Sequence, residues 1–218
     1  MSRNAVIKKI VDAILTMEYT HPLRVAIDGI DAAGKTSLAN ELVVPLAFLG
    51  RDVIWASIDA FHNPHDLRYQ QGKDSPEGYF FDAFNHEALI ASLLKPLGPD
   101  GNLDYIPGVF NFQSDTQANL PTFHAQKDAI LIFDGVFLLR PELIDYWDFS
   151  IFVAIDFDVS VERAAQRDQY LFGSAEAVRK RYWKRYVPGQ RIYLETCQPK
   201  KHADIVIDNN DFMHPRMI

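Results

Sequence analysis

The sequence predicts an α/β protein, a three-layer sandwich with a mostly parallel five-stranded sheet and helices on both faces. Two observations carry this. Five short aliphatic runs, Leu23–Ile27, Val53–Ile58, Ala129–Phe133, Ser150–Ile155 and Asp204–Ile207, are mostly apolar at successive positions rather than alternating, which is how strands buried on both faces read. Between them lie stretches with helical spacing, Lys35–Leu46, His86–Leu97, Ser160–Tyr170 and a charged Ala175–Arg185, and strands alternating with helices imply crossover connections in a parallel sheet. An amphipathic helix opens the chain, with Val6, Ile7, Ile10, Val11, Ile14 and Leu15 on one face and Lys8, Lys9 and Asp12 on the other.

Composition bounds the rest. A chain of 218 residues fits one domain, 1–218, and surface scaling removes roughly 70% of its unfolded surface from water. Apolar residues at 48% and charged residues at 23% match an ordinary globular protein. The net charge of −7 repels polyanions, so no nucleic-acid partner is expected. The single cysteine, Cys197, excludes an intrachain disulfide, and the absence of a long apolar stretch predicts no membrane partner and a cytoplasmic protein. An oligomer is left open. Segments at about 60–85 and 99–126 are rich in Gly, Pro, Asn, Asp and aromatics without a clean period; they exceed ordinary connections, and such loops usually carry function.

The sharpest motif is Gly29-Ile30-Asp31-Ala32-Ala33-Gly34-Lys35-Thr36, the phosphate-loop pattern GxxxxGK[ST], placed between a buried strand and a helix as that pattern requires. Glycines let successive backbone N–H groups point into one concavity, and the following helix adds its positive end, so phosphate oxygens are enclosed. The residues assigned to ATP are Gly29, Asp31, Ala32, Ala33, Gly34, Lys35, Thr36 and Ser37. Lys35 reaches the β and γ phosphates, and the Thr36 hydroxyl suits Mg²⁺, which prefers oxygen ligands. The second metal-side carboxylate is Asp134, which closes the apolar run Ala129–Phe133. Asp59 ends another strand, in Asp59-Ala60-Phe61-His62, where ligands of open parallel sheets bind, and can take the proton from an attacking hydroxyl. An N-cap or turn aspartate is the plainer reading of Asp59.

Ala26–Ser37, Ser57-Ile58-Asp59-Ala60-Phe61-His62 and Phe133-Asp134-Gly135-Val136-Phe137-Leu138 together resemble the uridine kinase and phosphoribulokinase family, in order and in spacing. Arg167-Asp168 and Pro199–Ile207 extend the likeness over nearly the whole chain. The resemblance implies ATP as donor, Mg²⁺ as cofactor, a mobile helical lid at about 160–190 and acceptor-site loops at about 60–85 and 99–126. It implies Lys35, Asp59 and Arg167 as catalytic residues, with Asp59 also near the metal beside Thr36 and Asp134. Asp82 is similar to the acid that holds ribose hydroxyls, its plainer reading being a helix-start carboxylate. Phe61, His62 and Phe110 are assigned to the acceptor pocket, and Arg163 and Arg181 to phosphate or acceptor contacts.

The expected activity is transfer of the γ-phosphoryl of ATP to a small-molecule hydroxyl, with the 5′-hydroxyl of a ribonucleoside favoured. A nicotinamide riboside, pantothenate, sugar phosphate or glycerate acceptor is the alternative, and a nucleotide-dependent switch or ATPase the rival from another class. The chain departs from uridine kinases in Pro107-Gly108-Val109-Phe110-Asn111-Phe112, where those enzymes carry a Tyr in Pro-x-Tyr-Asp-Phe.

Overall fold

A computed structural model describes residues 2–218. Helix α1 (Arg3–Leu15) precedes β1 (Leu23–Gly29), and the phosphate loop leads into α2 (Lys35–Phe48); β2 (Val53–Ser57) ends in a 3₁₀ turn at Ile58–Phe61. The segment after β2 holds α3 (His65–Arg68), α4 (Pro76–Asp82) and α5 (His86–Leu89), the last continuing through a π-helical turn to Leu94. Next, β3 (Asp104–Tyr105) and β6 (Phe123–His124) pair around an inner hairpin of β4 (Phe110–Asn111) and β5 (Thr116–Gln117). Then follow β7 (Ile130–Gly135), β8 (Phe149–Ala154), α6 (Phe157–Phe172), α7 (Ala175–Arg181) and α8 (Val187–Cys197), with a π-helical turn, Tyr182–Tyr186, joining the last two. The chain closes with α9 (Pro199–His202), β9 (Ile205–Asp208) and β10 (Arg216–Met217).

The main sheet runs β10-β9-β8-β1-β7-β2, with five parallel strands and an antiparallel edge at β10. The sequence predicts five strands; the sixth is two residues long, too short to carry a period. Alternate residues of the central strands divide between two cores. Val25, Ile27, Ile130, Ile132, Ile151 and Val153 pack with Ile10 and Ile14 of α1 and Leu38 and Leu42 of α2. Ala26, Leu131, Phe133 and Phe152 pack on the other side with Phe80 of α4, Leu89 of α5 and Tyr193 of α8. Both faces are covered, which is why these strands read as unbroken apolar runs. The edge strand β2 departs from that expectation: its burial alternates and Trp55 is 45% exposed. A third, smaller core of Val161, Ala164, Ala165, Val178, Tyr182 and Val187 joins α6 to α7 and α8.

Local signals set the helix starts. Ser75 accepts from the Gly78 N–H and stands before Pro76, Asn85 accepts from Ala88, and Ser174 accepts from Ala177, each offsetting an N–H that the helix itself leaves free. At the amino-terminal end of β1, Arg24 is buried and forms a two-bond pair with Asp148, at 2.9 and 2.8 Å. Among the described residues, no helix is long and apolar enough to cross a membrane.

His86, in the first turn of α5, has a buried Nε2 without a hydrogen-bond partner. Burial, reinforced by the Arg140 charge, pushes its pKa down to about 4. Below about pH 6.5 the unfolded chain takes up a proton that the folded chain refuses, so stability present above that pH is lost as the pH falls towards 4. Urea unfolding at pH 7 and pH 4.5 should show His86→Leu losing about 2 kcal/mol less than wild type between the two. Equal losses in both proteins would remove His86 from this role.

Candidate active site

The phosphate loop is held by backbone crowding on one side and by buried polar groups on the other. Gly29 has φ +154°, and a Cβ there would lie 2.4 Å from the Val153 carbonyl oxygen. Gly34 has φ +93°, and its Cβ would meet the Asn209 amide at 2.8 Å; that amide donates to the Ala33 carbonyl at 2.7 Å. Only glycine tolerates both positions. Just before the loop, the fully buried Asp28 accepts from the Gly29 N–H at 2.7 Å and from the Tyr193 hydroxyl of α8. Its pKa is raised by burial, against the pull of these bonds.

Asp31 is tied to three helices. Its Oδ2 accepts from the Gln190 side-chain amide of α8 at 2.6 Å and from the Tyr79 hydroxyl of α4 at 2.9 Å, and its carbonyl accepts from the Ser160 hydroxyl of α6 at 2.7 Å. Burial raises its pKa, and the Lys35 charge works in the opposite direction. Lys35 is itself buried, with its pKa lowered by burial, and its Nζ donates to the Ile30 carbonyl at 2.8 Å. Opposite, Thr36 Oγ1 donates to Asp134 Oδ2 at 2.6 Å while the Trp55 indole N–H holds Oδ1 at 3.0 Å. Ser57 donates to the Asp134 carbonyl at 3.1 Å. Hydroxyl and carboxylate thus stand side by side at the carboxyl ends of β1 and β7, which are paired in register from Leu23↔Ile130 to Asp28↔Gly135.

Two hollows meet at this loop. One, of about 310 Å³, is lined by Asp31, Lys35, Thr36, Asp59, Asp134 and Arg167 together with His62 and a wall of Tyr79, Phe84, Phe112, Tyr182 and Tyr186. The other, of about 460 Å³, is lined by Ala32, Gly34, Lys35, Thr36 and Ser37 with Arg163, Arg167 and Phe212. Arg167 borders both and is fixed by a two-bond pair with Asp168, at 2.7 and 2.9 Å. The His62 ring lies between Phe84 and Phe112, with centroids at 4.5 and 4.4 Å. Burial lowers its pKa, so it is uncharged at neutral pH, and its Nδ1 meets the Asp59 carbonyl at 2.9 Å. A larger hollow of about 570 Å³ lies at the opposite end of the sheet, around Arg24, Lys95, Gly98 and Tyr146; no phosphate-binding motif borders it.

Four residues expected at the acceptor or phosphate contacts are placed elsewhere, and a fifth, Arg163, stands by the phosphate loop but not on the acceptor side. Phe61 is fully buried against Phe133, because the 3₁₀ turn after β2 directs it into the core. Phe110 is buried in the β4–β5 hairpin, and Phe112, two residues on, supplies the pocket wall instead. Asp82 lies outside the hollow, its carboxylate accepting from Gln71 at 2.7 Å. Arg181 is buried and paired with Asp74 at 2.7 Å, where with Arg185 it holds the segment between α3 and α4; Arg185 donates to the Gly72, Lys73 and Arg68 carbonyls. Arg163 donates to the Asn209 and Asn210 carbonyls and borders only the second hollow, on the far side of the loop from Asp59. Gly29 and Ala33 shape the loop from beneath without lining either hollow. The sequence did not single out Trp55, Tyr79, Asp168 or Gln190. Only Asp168 carried a signal, as the neighbour of Arg167; the others act through contacts between residues far apart in the chain.

A chain whose phosphate loop, two strand-end acids and Arg167 of α6 converge on one hollow invites comparison with known kinases. The model of the phosphoribulokinase / uridine kinase family matches residues 25–212. The chain belongs to that family. It is accordingly an ATP-dependent kinase with a hydroxyl group as acceptor, which sets aside the switch reading. A uridine kinase of Staphylococcus aureus is 29% identical over 190 residues, 84% of this chain and 86% of its own length. In three dimensions, a possible uridine kinase from Bacillus stearothermophilus superposes with a TM-score of 0.72 at 23% identity, covering 92% of this chain and 96% of its own. A D-glycerate 3-kinase from Cryptococcus neoformans superposes with a TM-score of 0.63 at 12% identity, covering 98% and 99%. These two share the fold.

Among the described residues, Lys35 is the lysine that lines the two hollows at the loop, and removing a charged donor to phosphate costs about 10- to 100-fold in affinity. Calorimetry should find Lys35→Met binding ATP at least about tenfold more weakly than wild type. Unchanged affinity would argue against the loop as the phosphate site.

Proposed function

We propose that the protein transfers the γ-phosphoryl group of ATP, in the presence of Mg²⁺, to the 5′-hydroxyl of a ribonucleoside of the uridine or cytidine kind. The observation that carries this reading is the 310 Å³ hollow, which joins the phosphate loop to Asp59 beneath an aromatic wall. Flat rings such as Phe84, Phe112 and Tyr186 suit a planar base, and Asp59, exposed in the same hollow, suits the deprotonation of a hydroxyl. The S. aureus relative, named a uridine kinase, supports it. A second reading, another small neutral alcohol, is favoured by Val109, which stands where uridine kinases carry a phenol.

The residues fit Mg²⁺. Thr36 Oγ1 and Asp134 Oδ2 are hard oxygen donors 2.6 Å apart, with Asp59 lining the same hollow. Among the described residues no group of three or more His, Cys, Asp or Glu could hold a metal unaided, as befits an ion that keeps waters and shares its ligands with phosphates. Bound there, Mg²⁺ would draw charge from the phosphate oxygens.

In this reading the chain's own groups divide the work. The loop amides and Lys35 hold the triphosphate, and Asp59 accepts the hydroxyl proton as that oxygen attacks phosphorus. The Arg167 guanidinium, steadied by Asp168 and by contact with the Tyr182 hydroxyl at 3.4 Å, offsets charge on the transferring group. Closure of α6 and α7 over the phosphates would exclude water.

Asp59→Asn should lower kcat by about 100-fold or more, with ATP affinity within about twofold of wild type. Coupled-enzyme rates with uridine and cytidine, beside titration calorimetry with ATP, decide it; an unchanged kcat would remove Asp59 as the base.

A further inference from the structure

Asp31 is the acid in this region that the transfer mechanism leaves without a task. A carboxylate inside a phosphate loop is electrostatically unfavourable for the nucleotide, so something other than phosphate should occupy its free side. Its two side-chain bonds, from Gln190 and Tyr79, both reach Oδ2. Among the described residues no group donates to Oδ1, and Asp31 lines the hollow that also holds Asp59. The clamp fixes the carboxylate from two helices that pack against each other, α8 and α4, so its direction is set before any ligand arrives. Asp82, the acid that the sequence offered for a vicinal diol, is turned away to Gln71.

The charge of the hollow points the same way. Four carboxylates line it, Asp31, Asp59, Asp134 and Asp168, against two cations, Lys35 and Arg167. Arg167, paired with Asp168, is assigned above to the transferring phosphoryl group, and Lys35 sits at the phosphate loop. Arg68 and Lys73 lie in a separate hollow beyond Phe112, where Arg68 is paired with Asp115, and Arg181 and Arg185, behind the tyrosine wall, are held by Asp74 and by carbonyls. Among the described residues lining this hollow, no cation is therefore free on the acceptor side to balance a carboxylate or phosphate on the acceptor.

Resting on the kinase reading above, we propose that Asp31 is a specificity-determining residue. Its Oδ1 accepts a hydrogen bond from a second hydroxyl of the acceptor, and its charge rejects acceptors that carry a carboxylate or phosphate. The site therefore takes neutral or cationic polyols, and the phosphate loop itself reads part of the acceptor.

Asp31→Asn tests this, because asparagine keeps one oxygen for Tyr79 and Gln190 and places an amide where Oδ1 stood. Rates with ATP and Mg²⁺ are to be measured for uridine, its 2′-deoxy and 3′-deoxy forms, D-glycerate and ribulose 5-phosphate. The variant should raise KM for uridine about tenfold, with kcat within about threefold and KM for ATP within about twofold, as loss of one charged hydrogen bond predicts. It should also abolish wild type's preference for the intact diol over one deoxy form, and narrow the ratio of neutral to anionic acceptors about tenfold. Wild-type preference for glycerate or ribulose 5-phosphate would overturn the inference while leaving the kinase reading standing. So would a diol preference that survives in the variant, or an equal rise in KM for ATP. Turnover of no acceptor at all would overturn both. Should Asp31→Asn fail to fold, Tyr79→Phe loosens the same carboxylate, and an unchanged acceptor KM there counts against the proposal.

Discussion

The architecture turns on one constraint: a chain reversal at the end of β1 that borders two hollows and whose buried polar groups need partners from elsewhere in the chain. Groups that would ordinarily satisfy each other cannot do so here, and the surrounding elements supply partners instead. Tyr193 bonds Asp28, Gln190 and Tyr79 bond Asp31, Ser160 bonds the Asp31 carbonyl, and Asn209 bonds the Ala33 carbonyl. Helices α4, α6 and α8 and the chain after β9 are thereby fixed in relation to one turn. Buried polar networks of this kind are costly when incomplete and specifying when complete.

This arrangement explains why α8 serves two purposes. Gln190 and Tyr193 are three residues apart on one helix face, so a single face grips the loop at Asp31 and at the strand end beneath it. The π-helical turn Tyr182–Tyr186 lies directly before this face. It carries Tyr182 and Tyr186 to the wall of the acceptor-side hollow, while Arg185 in the same turn anchors the segment between α3 and α4. Such turns interrupt regular helices where a site demands a change of register. The basic cluster read from the sequence as a lid is thus largely structural at Arg181 and Arg185, and only Arg167 of that group lines both hollows at the phosphate loop.

Much of the fold was legible because periodicity survives in a one-dimensional string. Buried parallel strands give unbroken apolar runs, and helices α1, α2 and α6 announced themselves by spacing, whereas α8 did not. The phosphate loop was legible because its chemistry depends on residues adjacent in the chain. The edge strand β2 misled for a physical reason: Trp55 is apolar, yet it faces Asp134 rather than the core. Asp82 misled because it closes α4, and whether an acid at a helix end faces a pocket depends on a side-chain direction that spacing does not fix.

The sequence by itself determined the class of fold, the strand–loop–helix that binds phosphate, and the acids Asp59 and Asp134 at strand ends, since each rests on local spacing and backbone preference. Tertiary structure alone decided which aromatics wall the hollow that holds Asp59, which arginines are spent on carbonyls and on Asp74, and that Asp31 is clamped on one oxygen and open on the other. Those outcomes depend on pairs such as Asp31 and Gln190, 159 residues apart. Packing of whole elements, and not any local preference, brings such groups within hydrogen-bonding distance.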